Sequence, residues 1–247
     1  MTNIILIVIL TIWLNQLVKF SGQEMNKKEI IMKKNKILPS SPPASSPSSP
    51  QRILHAALKE FAIHGREGAR MARIAMQAKV NKALLFYYFS SKENLFQEVM
   101  RQALSIVVPQ LQQALSKAQK PKDLLELLPP IYTQFTFQHP DYIRMILLEL
   151  VREPQVMAQM MAEAFNSYQP SPPLEIKKKL KKWGTQGLLK ESDPVQLALN
   201  LLPPLLFTPI IAPVVEALFQ EKFIDSSQFL QQRIASLIKF LKHGALP

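Results

Sequence analysis

Six glycines against twenty prolines in 247 residues constrain this chain more than any other feature. Tight β-turns use residues at positive φ, and glycine reaches that region without steric cost, so six leave little for hairpins. Proline fixes φ and lacks a backbone N–H, which suits the first turn of a helix or a kink within one. Neither an alternating apolar and polar run of useful length nor an internal repeat of fixed period is present. The expected fold is therefore all-α, with helices punctuated by prolines. Hydrophobic residues make up 47% of the chain, ample for a packed core in one large domain or two small ones, so wholesale disorder is excluded.

Charge narrows the partners. Thirty Lys and Arg against eighteen Asp and Glu leave a formal net charge of +12, which favours a polyanion such as nucleic acid or an anionic membrane face. With no cysteine there is no disulfide framework, thiol nucleophile or cysteine-based zinc site.

Residues 1–50 read as separate from the fold. The apolar run from Ile4 to Val18 is interrupted by Asn15 and Gln16 and is short for a bilayer span, though flanking residues bring it near that length. It lacks the basic start and small-residue cleavage site of a secretory signal. Lys19, Lys27, Lys28, Lys33, Lys34 and Lys36 follow it, so insertion would keep the remainder on the cytoplasmic side. The alternative is that translation starts at Met25 or Met32. Pro39 to Pro50 contains only Pro, Ser and one Ala, the composition of an extended linker.

From Gln51 the pattern turns helical. Ile53, Leu54, Ala57, Leu58, Phe61 and Ala62 line one face of a first helix, and Gly65 is its expected stop. A second short helix is expected from Arg70 to Ala78. Asn81 should cap a third over Lys82–Tyr88, directing Leu85 and Phe89 inward. Ser90 and Glu93 form an expected capping box for a fourth. An amphipathic helix followed by two short ones across a tight turn is a helix-turn-helix pattern. Within 51–98 there are eight Lys or Arg and four Glu, a local charge of +4. Phosphates would meet Arg70, Lys82, Lys92 and the hydroxyls of Tyr87 and Tyr88; bases would meet Ala83, Leu84 and Lys82. Asn81 and Phe86 complete the candidate DNA-binding set.

Gln51–Val99 resembles the DNA-binding domain of the TetR (tetracycline repressor) family. The resemblance rests on Ile53-Leu54-His55-Ala56-Ala57, Phe61, Ile74-Ala75, Ala78 and above all Val80-Asn81-Lys82-Ala83-Leu84-Leu85-Phe86-Tyr87-Tyr88-Phe89, followed by Ser91-Lys92-Glu93-Asn94-Leu95. The sequence departs from the family pattern in four places. Lys79 stands at the usual turn glycine, Ala69 and Arg70 at the usual cap, Leu84 at a threonine, and Phe86 at a tyrosine. The resemblance implies a DNA-binding domain over 51–98, a helical ligand-binding and dimerisation domain over 99–247, and a cytoplasmic homodimer on a near-palindromic operator. It also implies release by an unknown small-molecule effector; proteins of this kind are most often repressors.

Two softer segments are similar to parts of that family's regulatory domain: His139 to Glu149, and Trp183 to Lys190 leading into Asp193-Pro194. Pro140, Pro154 and Pro194 fit first-turn positions. The pairing helices would be Val195–Phe219 and Ser226–Lys242. Phe135, Met145, Met157, Met160 and Phe165 are the candidate pocket lining, with ordinary core packing as the competing reading. No cofactor is implied. The four histidines lack the spacing of a helical metal pair, and neither a nucleophile elbow nor a phosphate loop occurs, so neither catalytic nor metal-ligating residues are nominated. The competing function is a membrane-tethered, all-helical lipid- or partner-binding protein, touching the membrane through residues 4–20.

Overall fold

The computed structural model describes Ser48–Pro247 apart from Ser192, Asp225 and Ser226; the apolar run at 4–18 and the linker up to residue 47 lie outside the described residues. Eleven helices and no strand occur among the described residues, so the fold is all-α. In chain order they are α1 (Ser49–Gly68), α2 (Met71–Gln77), α3 (Lys82–Tyr88), α4 (Lys92–Lys117), α5 (Pro121–Gln138) and α6 (Pro140–Arg152). Then come α7 (Pro154–Asn166), α8 (Pro172–Thr185), α9 (Pro194–Leu206), α10 (Thr208–Phe219) and α11 (Ser227–Ala245).

Helix α1 starts two residues before its expected beginning at Gln51. The last serine and proline of the linker form its first turn, where proline's missing N–H costs nothing, and the Ser48 N–H donates to Gln51 Oε1 at 2.9 Å. Ile53, Ala57, Phe61, Ile74, Ala75, Leu85, Leu95, Phe96 and Val99 are all buried together. They make the core of a head formed by α1, α2, α3 and the start of α4. Helix α4 runs for 26 residues without a break, placing Leu95, Phe96 and Val99 in the head and Val107, Val108 and Leu111 in the body. Pro109 lies on its exposed side and does not end it.

Proline sets the joints of the body. His139 ends α5 and Glu153 ends α6, and in each case the following proline opens the next helix, so the chain turns at single residues. Asp193 caps α9 by accepting the Val195 N–H at 2.8 Å. The expected single helix Val195–Phe219 is instead two, bent by 60°. Pro209 has no N–H to offer the Leu205 carbonyl, so the ladder fails there. The Pro204 carbonyl is met by the Thr208 hydroxyl at 3.2 Å and by Arg233 Nη2 of α11, also at 3.2 Å. The second pairing helix is Ser227–Ala245, running past its expected end at Lys242. No single helix among the described residues is long and apolar enough to cross a membrane.

Candidate nucleic-acid interface

Helix α2 ends in a left-handed residue. Lys79 has φ 55°; its N–H donates to the Met76 carbonyl at 3.1 Å, and that of Val80 to the Ala75 carbonyl at 3.0 Å. This pair of crossed bonds closes a helix on glycine in most proteins. Here a lysine holds the position, as the turn demands once glycine is missing. Lys79→Gly is therefore expected to stabilise the protein by about 0.5–1 kcal/mol, the αL strain removed less glycine's entropic penalty. A shift of the urea midpoint at unchanged m checks this.

Asn81 then opens α3, its Oδ1 accepting the Leu84 N–H at 2.7 Å, as the sequence led us to expect. Leu85 is fully buried and Phe89 nearly so, which seats the helix on the head core. The other face is open: Lys82, Ala83, Phe86, Tyr87 and Tyr88 are exposed, Tyr87 at 81%, while Leu84 is half-buried. Lys82 Nζ lies 5.8 Å from the Phe86 ring centroid, and the Tyr87 and Tyr88 rings meet edge to face at 5.3 Å. A seven-residue helix thus presents one ammonium, three aromatic rings and a methyl group on a single outward surface.

Two candidates stand beside this face rather than on it. Arg70 is exposed at the start of α2. Lys92, half-buried, donates from Nζ to the Glu67 carbonyl at 3.0 Å and so ties the first turn of α4 to the end of α1. The cap of α4 is Ser91, not Ser90: Ser91 Oγ accepts the Asn94 N–H at 3.0 Å, while Ser90 Oγ accepts from the Asn94 side chain at 2.6 Å. Glu93 therefore takes no part in a capping box.

Glu60 was not singled out from the sequence, yet it organises the head. It is 1% exposed, and its Oε1 accepts the Arg70 N–H at 3.0 Å and Arg73 Nε at 2.6 Å. Arg73 also donates to the Gly68 carbonyl at 3.0 Å. The cap that Ala69 and Arg70 cannot give α2 is thus supplied from α1. Ile53, Ala57 and Glu60 fall at i, i+4 and i+7, so a carboxylate on the apolar face was the available signal. Arg52 closes the other end of α2, its Nε donating to the Ala78 carbonyl at 3.2 Å.

In the body, Met145 and Met157 are buried and Phe135 nearly so, while Met160 and Phe165 are half-buried against the same core. Phe135 stacks on Tyr142 with centroids 6.3 Å apart. Burial raises the Tyr142 hydroxyl above its ordinary pKa and pushes that of Tyr132 up to about 12, so both stay neutral donors.

Comparison with known proteins agrees with this geometry. A model of the bacterial regulatory proteins, tetR family, matches residues 53–99, the span from the first buried residue of α1 into α4. The HTH-type transcriptional repressor SCO4008 of Streptomyces coelicolor is 34% identical over 98 residues, 40% of this chain; the chain spans about half of that relative, 47% of its length. The HTH-type transcriptional regulator RutR of Escherichia coli strain K12 is 26% identical over 196 residues, 79% of this chain and 89% of RutR. The crystal structure of SCO4942 from Streptomyces coelicolor, a proposed transcriptional regulator, superposes with TM-score 0.59 at 27% identity, covering 79% of this chain and 97% of that one.

Proposed function

We propose that this chain is a cytoplasmic, homodimeric repressor of the TetR family of helix-turn-helix transcriptional regulators, one that leaves its operator when a small molecule binds the body. The observation that carries DNA reading is α3 itself. It is capped by Asn81, seated by Leu85 and Phe89, and open along Lys82, Ala83, Phe86 and Tyr87. A rigid short helix with an outward cationic and aromatic face meets the demands of the major groove. Arg70 and Lys92 flank it as phosphate partners, with Asn81, Leu84 and Tyr88 at the edges of the same contact.

Pairing is supported by the last three helices. Val195, Leu199, Leu202, Ile211, Phe219 and Phe240 are large, apolar and exposed, more than a monomer ordinarily shows to water. Burial against a second copy would bring two α3 helices to one face, about 34–36 Å or somewhat more apart. The head spans 51–98 and the body 99–247, with α4 common to both. Effector binding is supported by Thr133, whose buried Oγ1 has no hydrogen-bond partner among the described residues. A ligand among Phe135, Met145, Met157, Met160 and Phe165 need favour the non-binding head separation by only a few kcal/mol.

Selection of genomic fragments by the full chain tests this reading. A near-palindromic site should emerge, bound by two chains. Three cations per head, six per dimer, give log Kd against log salt a slope of magnitude about 5. Failure to retard any DNA, with the protein found on membranes, would instead favour the tethered alternative.

A further inference from the structure

The kink at Gly65 holds both halves of a connection that crosses from head to body. Gly65 has φ 67° and ψ 175°, a conformation open to glycine almost alone, and it breaks α1 so that the flanking peptide groups lose their helical partners. Both are recovered from one turn of α6. Arg152 Nη1 donates to the His64 carbonyl at 2.9 Å, and Glu149 Oε1 accepts the Arg66 N–H at 2.7 Å. Glu149 Oε2 also stands 3.4 Å from Arg66 Nε. A methyl group at residue 65 would overlap Arg152 Nη1 and lie 3.1 Å from Glu149 Oε1. So the glycine serves the approach of these two side chains as well as the turn.

We propose that Glu149 and Arg152 are positioning residues for DNA binding, clamping the Gly65 kink so that the head keeps one angle relative to the body. The inference rests on the DNA-binding reading above. Head and body are joined covalently by α4, and a single helix leaves bending and torsion free. The second attachment is α6 on α1, the most extensive helix pairing among the described residues. Its polar centre is Glu149, 2% exposed. Met145 lies one turn earlier on the same face of α6 and is buried in the body core, so a shift of α6 carries the clamp with it.

Because the chain contains no cysteine, paired spin labels at Gln77→Cys and Gln134→Cys report the head-to-body distance alone when labelled chains are diluted into unlabelled ones. With Glu149→Ala and Arg152→Ala together, the distance distribution should widen about twofold while the helical circular dichroism stays native. On DNA, the roughly tenfold preference for one half-site spacing over spacings altered by two base pairs should fall below about threefold. Glu149→Gln, which keeps the acceptor for Arg66, should behave as the parent. Should the double variant not fold, Arg152→Ala, an exposed side chain, carries the same two readouts. Unchanged width and spacing preference in a folded variant overturn the clamp. Absence of DNA binding by the parent chain would refute the functional reading instead, and the distance measurement would still decide the clamp.

Discussion

Replacing Lys82 and Tyr87 together by alanine is expected to weaken operator binding by a hundredfold or more while leaving the protein folded. Each dimer would lose four side chains, and at about 0.7–1 kcal/mol apiece the sum is about 3–4 kcal/mol. The folded state gives up little. Tyr87 is 81% exposed, its ring meets that of Tyr88 edge to face, and the Lys82–Phe86 contact at 5.8 Å is an exposed one of about 0.5 kcal/mol. Salt titration separates the two contributions. Lysine meets phosphate, so its loss from both heads should lower the slope of log Kd against log salt by about 2, whereas Tyr87→Ala alone should leave the slope nearly unchanged. A double variant that melts like the parent and binds the selected operator equally well removes α3 from the role of reading helix.

Helix α3 was the most legible part of the chain, and the reason is local. Asn81 caps it from the preceding residue, Phe89 ends it, and Leu85 and Phe89 share a face, so its bounds follow from nearest neighbours in sequence. The proline-opened helices α6, α7 and α9 were legible for the same reason. Failures came where the deciding partner is distant. Glu60 bonds a backbone N–H ten residues on, and Arg52 a carbonyl twenty-six residues on. Glu149 reaches Arg66 across eighty-three residues. Their chemistry is ordinary in sequence; only the packing of α1 beneath α2 and α6 gives it meaning. The break at Phe207 lay between these cases. Pro209 announced a lost hydrogen bond, but whether one kinked helix or two bent ones results depends on what packs at the joint, here Arg233 of α11 on the adjacent Pro204 carbonyl. The proposed pocket residues were the least legible, because methionine and phenylalanine serve a cavity and a core by the same contacts.

Phe61→Ala is expected to cost about 3–5 kcal/mol, a large share of the 5–15 kcal/mol by which domains are ordinarily stable. Phe61 has no solvent exposure and meets Phe96 edge to face with centroids 5.0 Å apart and planes at 79°. That contact joins α1 to the first turns of α4 and lies in the same core as Ile74 of α2 and Leu85 of α3. Removing the ring leaves a cavity between α1 and α4, so the loss exceeds what burial area alone would give. Phe61→Leu keeps most of the volume and should cost less than about 1.5 kcal/mol. Urea unfolding followed by circular dichroism reads both. Because α4 runs unbroken from head to body, the destabilised head should pull the body's transition down with it. Two separated transitions, with the body's midpoint unmoved by Phe61→Ala, would instead mean that α4 transmits no strain between them. In that event any coupling between the body and α3 would run through the contact of α1 with α6 alone, and the stability of the head could be altered without changing that coupling.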